Sequence, residues 1–94
     1  MLQGRKQPRI PRRFLAQVFS SLDPRQGEFV SVENVSLRGA RVATVRAWAR
    51  NSQVVVKFTS GELRAKSARV VYCQVVSEKQ FAVGLEFLGP WIAA

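Results

Sequence analysis

Phe81-Ala82-Val83-Gly84-Leu85-Glu86-Phe87 places large apolar side chains at every second position, with Ala82, Gly84 and Glu86 between them. Successive side chains of a strand point to opposite faces, so this period of two predicts a half-buried β-strand. Gly89-Pro90 predicts its end, because proline cannot donate to a strand ladder. Working backward, Ser77-Glu78-Lys79-Gln80 reads as a turn. The run before it is long. Leu63 and Ala65 alternate with Arg64 and Lys66, and Val70, Val71, Tyr72, Cys73, Val75 and Val76 continue it. The alternation loosens near Ala68, which predicts a bulge or twist there.

Short strands fill the rest of the chain. Residues 53–59 (QVVVKFT) are strongly β-branched, and Ser60-Gly61 fits a two-residue hairpin turn. Residues 40–47 carry Val42 and Val45 as apolar anchors, residues 28–33 (EFVSVE) alternate around Val30 and Val32, and residues 14–20 (FLAQVFS) are apolar and aromatic. Turn formers separate them at residues 21–27 and 34–39. No window supports a long amphipathic helix, and residues 44–50 are the only helix-tolerant stretch. Six or seven short strands with hairpin-scale connections predict an all-β fold, a small antiparallel barrel or sandwich. A barrel is favoured because closure removes exposed sheet edges.

The chain has 94 residues, enough for one domain with a modest core, and its 47% hydrophobic content is that of a globular protein. With no histidine and a single cysteine, Cys73, the chain offers neither a disulfide framework nor an ordinary zinc site. Six scattered carboxylates present no evident acid–base pair, so an enzyme is not expected. No apolar run suits a signal peptide or a transmembrane helix, so the expected location is cytoplasmic with no membrane span.

The formal net charge is +9, which points to an anionic partner. Residues 1–13 hold Arg5, Lys6, Arg9, Arg12 and Arg13 and no acidic group, which is five of the fifteen positive charges. The other residues carry ten basic and six acidic groups, a net of +4. Pro8 and Pro11 bias this segment toward extended backbone. The chain therefore divides into a flexible basic N-terminal arm, residues 1–13, and a barrel, residues 14–94.

Two local patterns bear on chemistry. The arm contains an R-x-x-x-R spacing at Arg5 and Arg9, also met by Arg9 and Arg13. Guanidinium forks match phosphate oxygens and the O6/N7 edge of guanine, and their flat faces stack on purines. The second pattern is Asn34-Val35-Ser36-Leu37-Arg38-Gly39, an N-x-S-x-x-G turn. Asn34 and Ser36 face the same side of an extended chain, where both can hydrogen-bond a base or phosphate. Gly39 permits a positive φ or a close backbone approach. Each pattern alone also has an ordinary reading: a solvated basic tail, and Asn and Ser bonding their own backbone in a turn.

Taken in order, the basic R-x-x-x-R followed by Ile10-Pro11, the N-x-S-x-x-G turn and the closing V-G-L-E-F strand resemble the PilZ domain. That family comprises small bacterial β-barrels that bind the second messenger cyclic di-GMP. The apolar-Pro pair after Arg9 favours the Arg5/Arg9 spacing over Arg9/Arg13. The resemblance implies a single-domain receptor with cyclic di-GMP as ligand, no other cofactor, and a downstream protein partner. It implies that Arg5 and Arg9 wrap over the ligand, with Lys6 as an accessory charge. Asn34 and Ser36 would bond a guanine or phosphate, and Gly39 would let the turn come close. Asn34 stands where many members have Asp, keeping an acceptor but no negative charge. Two alternatives stand beside this: a small basic barrel that binds nucleic acid, and a PilZ-like adaptor that binds no nucleotide.

Overall fold

The computed structural model describes residues 14–23, 25–58 and 64–93, with side chains described for 15–23, 25–58 and 65–89. Six strands follow one another: β1 (Phe14–Ser20), β2 (Gly27–Val35), β3 (Gly39–Thr44), β4 (Gln53–Phe58), β5 (Arg64–Ser77) and β6 (Gln80–Ala93). All neighbours are antiparallel, and the order β1-β2-β3-β6-β5-β4 closes on itself as a barrel. The all-β antiparallel barrel is thus what the alternation predicted, with six strands. Among the described residues there is no helix, and so none long and apolar enough to cross a membrane. The basic segment 1–13 lies outside the described residues.

Valine dominates the interior. Val18, Val42, Val54, Val56, Val70 and Val83 are fully buried, with Ala16, Val30, Ala40, Ala68 and Leu85 beside them. They come from all six strands at inward-facing positions, where a β-branched side chain suits the pleat and closure hides it from water. Phe58 and Phe87 meet edge to face at 6.3 Å, and Phe81 also packs on the core. The register that buries Val56 and Ala68 also turns Lys66 inward, since Lys66 faces Val56 and Val54 faces Ala68. Its ammonium stands 5.7 Å from the Phe87 ring, a cation–π contact that offsets some of the burial cost.

Two expectations are corrected, and a third is met. The strand expected over residues 40–47 ends at Thr44. Glu28 draws the chain away there, accepting the Val45 N–H at 2.5 Å and the Trp48 indole N–H at 3.0 Å. Trp48 is thereby set into the core at 6% exposure, with the Arg46 guanidinium 4.8 Å over its ring. Gly89-Pro90 does not stop the last strand, which runs on to Ala93. Leu88 pairs with Ser67 and Ile92 with Ala65, leaving residues 89–91 opposite Lys66 alone. Within that bulge Gly89 takes φ +73° and the missing proline N–H needs no partner. The irregularity expected near Ala68 is present on either side of it, while Ala68 itself pairs regularly with both Val54 and Phe87. The register shifts of β5 fall between Ala65 and Ser67, Val70 and Tyr72, and Val75 and Ser77.

Candidate functional site

The shift between Val70 and Tyr72 decides what the outer face of the barrel carries. Val70 faces inward against Leu85, and Cys73 pairs with inward Val83. Two residues, Val71 and Tyr72, thus separate two inward positions where a regular strand has one, and Val71 absorbs the difference. The result sends Tyr72 outward, opposite Gly84. A Cβ on Gly84 would stand 2.2–2.6 Å from the Tyr72 ring, so the ring lies directly on the glycine backbone. An aromatic side chain covering a strand glycine shields backbone that would otherwise be bare.

Register then assembles two rows across the outer surface. Asn34 of β2 pairs with Arg41 of β3, Arg41 with Gly84 of β6, and Gly84 with Tyr72 of β5. In the next row Gly39 of β3 pairs with Glu86 of β6, and Glu86 with Arg69 of β5. The 36–38 turn stands at the end of this second row, its Arg38 carbonyl accepting the Phe87 N–H at 2.8 Å. Together these residues line an open groove of about 590 Å³, a volume typical of small-molecule sites.

The turn explains its own residues. The Ser36 N–H donates to the Gly39 carbonyl at 2.8 Å, and the Ser36 hydroxyl accepts the Arg38 N–H at 3.2 Å. Such bonds hold Ser36 at the groove edge. Gly39 has no positive φ; it serves close approach, since a Cβ there would lie within 2.0 Å of the Leu85 carbonyl oxygen. Any other residue would push β3 away from β6.

Arginines dominate the electrostatics. Arg38, Arg41 and Arg69 line the groove against a single carboxylate, Glu86. Arg41 Nε donates to Glu33 Oε1 at 2.9 Å and its NH1 to the Tyr72 hydroxyl at 3.3 Å. These bonds, Glu33 first and Tyr72 second, raise the arginine's proton affinity above its ordinary value, so Arg41 stays cationic at any working pH. Arg69 bridges Glu86 at 2.5 Å and the Asn51 side-chain oxygen at 2.9 Å. Asn51 itself sits at φ +72°, a conformation asparagine tolerates better than most residues.

Three of the residues singled out from sequence, Asn34, Ser36 and Gly39, thus line one groove. The other three, Arg5, Lys6 and Arg9, lie outside the described residues. Phe14, the first residue of β1, pairs with Val32, two positions from Asn34. The family profile of the PilZ domain matches residues 3–91. The chain belongs to the PilZ domain family. That match takes in both the arginine spacing and the turn motif, and it leaves only the two ends of the chain outside. No curated protein and no solved structure matches the chain significantly.

Sequence reading missed Arg41, Arg69 and Tyr72 of this PilZ domain's groove. Arg41 was within reach, two residues beyond Gly39 and so on the same strand face. Tyr72 was not, because only the bulge at Val71 turns it outward, and Arg69 joins the groove through the β5–β6 register that sets it opposite Glu86.

Proposed function

We propose that this PilZ domain is a binding module, not a catalyst, and that its ligand is cyclic di-GMP. The observation that carries the reading is the convergence of Asn34, Ser36 and Gly39 on a groove with three arginines. The segment bearing Arg5 and Arg9 joins the barrel beside that groove, at Phe14. PilZ domains are binding and adaptor modules, in keeping with a site that holds cations and hydrogen-bonding groups.

In this reading the ligand's two phosphodiesters meet guanidinium forks from the arm and the barrel. The Asn34 side-chain oxygen accepts from guanine N–H groups and its amide donates to O6 or a phosphate. Arg9 and Arg5 close from above, stacking on purine faces or gripping phosphate, and Lys6 adds charge. Gly39 lets β3 lie close against β6, and Gly84 seats the Tyr72 ring, which forms part of the groove floor. Fixing the arm costs about 1–2 kcal/mol per residue, so its contacts must exceed that, and ordering it changes the surface a downstream protein would meet.

Calorimetric titration with cyclic di-GMP tests the reading. Saturable binding is expected, weakened strongly by Asn34→Ala with the fold intact. Absence of heat at high ligand concentration and low salt would overturn it. A second reading, the adaptor, is favoured by one observation. Leu15, Phe29 and Val45 are exposed, Phe29 at 67%, and line a separate groove away from the arginines. Wild-type protein that captures a protein partner without binding nucleotide would support the adaptor instead.

A further inference from the structure

Two arginines of the groove are already engaged by carboxylates. Arg41 meets Glu33 at 2.9 Å, and Arg69 meets Glu86 at 2.5 Å. All four side chains are substantially exposed, at 42%, 44%, 40% and 49% respectively. Ion pairs this accessible contribute little to stability, so holding the barrel together does not account for them. Each arginine also has a neutral second anchor, the Tyr72 hydroxyl for Arg41 and the Asn51 side-chain oxygen for Arg69. An arginine released by its glutamate therefore remains tethered over the groove.

We propose that Arg41 and Arg69 are phosphate ligands of the barrel itself, held in position by Glu33 and Glu86, which a phosphodiester displaces. This deepens the cyclic di-GMP reading and rests on it. A phosphodiester oxygen and a carboxylate oxygen compete for the same N–H fork, and only one can occupy it well. The two stations lie on β3 and β5, with β6 between them, so their backbones stand roughly 10 Å apart. A ligand with two separate phosphodiesters can engage both, whereas a single phosphate can engage one. The glutamates thus act as built-in competitors. They orient the guanidiniums before the ligand arrives, and they weaken the binding of anything that cannot displace both.

The test is calorimetric titration of cyclic di-GMP into the full chain and its variants, with circular dichroism to verify the fold. Arg41→Ala and Arg69→Ala should each weaken binding about tenfold, as for a lost charge-assisted contact. Arg41→Gln, which keeps a donor for Tyr72 but loses the charge, should behave like Arg41→Ala. Glu33→Gln and Glu86→Gln should each tighten binding about two- to fivefold, the scale of an exposed ion pair. Arginine variants that bind like the wild type would overturn the proposal. So would glutamate variants that bind no more tightly than the wild type. A wild type that binds no cyclic di-GMP would overturn the ligand reading and the displacement mechanism with it, an outcome separate from the other two because it shows in the unmutated chain.

Discussion

Glu28 and Glu33 sit five residues apart on the same strand, and the barrel uses them in opposite ways. Glu28 accepts two N–H groups, one from the Val45 backbone and one from an indole that is itself buried. It ties down a loop and inserts Trp48 into the core. Glu33 holds only an exposed guanidinium, as Glu86 does on β6. The Trp48 indole sits in the core, so its N–H has little access to water once Glu28 is lost, whereas an exposed guanidinium can turn to water. The same side chain is therefore structural at one end of β2 and exchangeable at the other. What separates the two is the burial of the partner.

Four substitutions would break or sharpen this contrast. The largest effect is expected at Gly39, where β3 lies against the β6 backbone. Gly39→Ala drives a Cβ into the Leu85 carbonyl and should cost about 3 kcal/mol or more, read from urea denaturation. Glu28→Ala should cost about 2 kcal/mol and loosen Trp48, visible in the near-ultraviolet circular dichroism. Gly84→Ala meets a side chain instead of backbone, because the Tyr72 ring can swing aside. About 1 kcal/mol is expected, with the Tyr72 ring resonances shifted in an NMR spectrum and the β-strands unchanged. Glu33→Gln should be the mildest, under about 0.5 kcal/mol in stability. If Glu33→Gln proves as damaging as Glu28→Ala, the contrast between the two carboxylates is wrong.

Much of the barrel was legible because its core is written in valine. Val30, Val42, Val54, Val56, Val83 and Leu85 occupy positions that period-two reading assigns to one face, and the structure buries them. The turn at residues 36–38 was legible for a similar reason, since serine and glycine have local turn chemistry, although Asn34 and Val35 belong to β2 and not to the turn. What escaped was non-local. Gly89-Pro90 looks like a stop until a bulge opposite Lys66 gives both residues a place. Residues 45–47 look like more strand until Glu28, seventeen residues before Val45, takes its N–H. Tyr72 becomes a groove residue only through the parity change at Val71, which no count along β5 alone reveals, and Arg69 through its pairing with Glu86. Asn34, Ser36 and Gly39 were found from sequence because their motif is contiguous; apart from Arg41 on β3, their companions on the floor come from β5 and β6.

The most direct measurement is the thermal midpoint of the full chain with and without saturating cyclic di-GMP, for wild type and Arg9→Ala. A ligand that binds only the folded barrel at one hundred times its Kd adds about 2.7 kcal/mol. In a domain this small that corresponds to a rise in Tm of roughly 10–20 °C. The account predicts that rise for the wild type. For Arg9→Ala it predicts an unchanged ligand-free midpoint and most of the rise lost. A wild-type midpoint that does not move at high ligand concentration would contradict it.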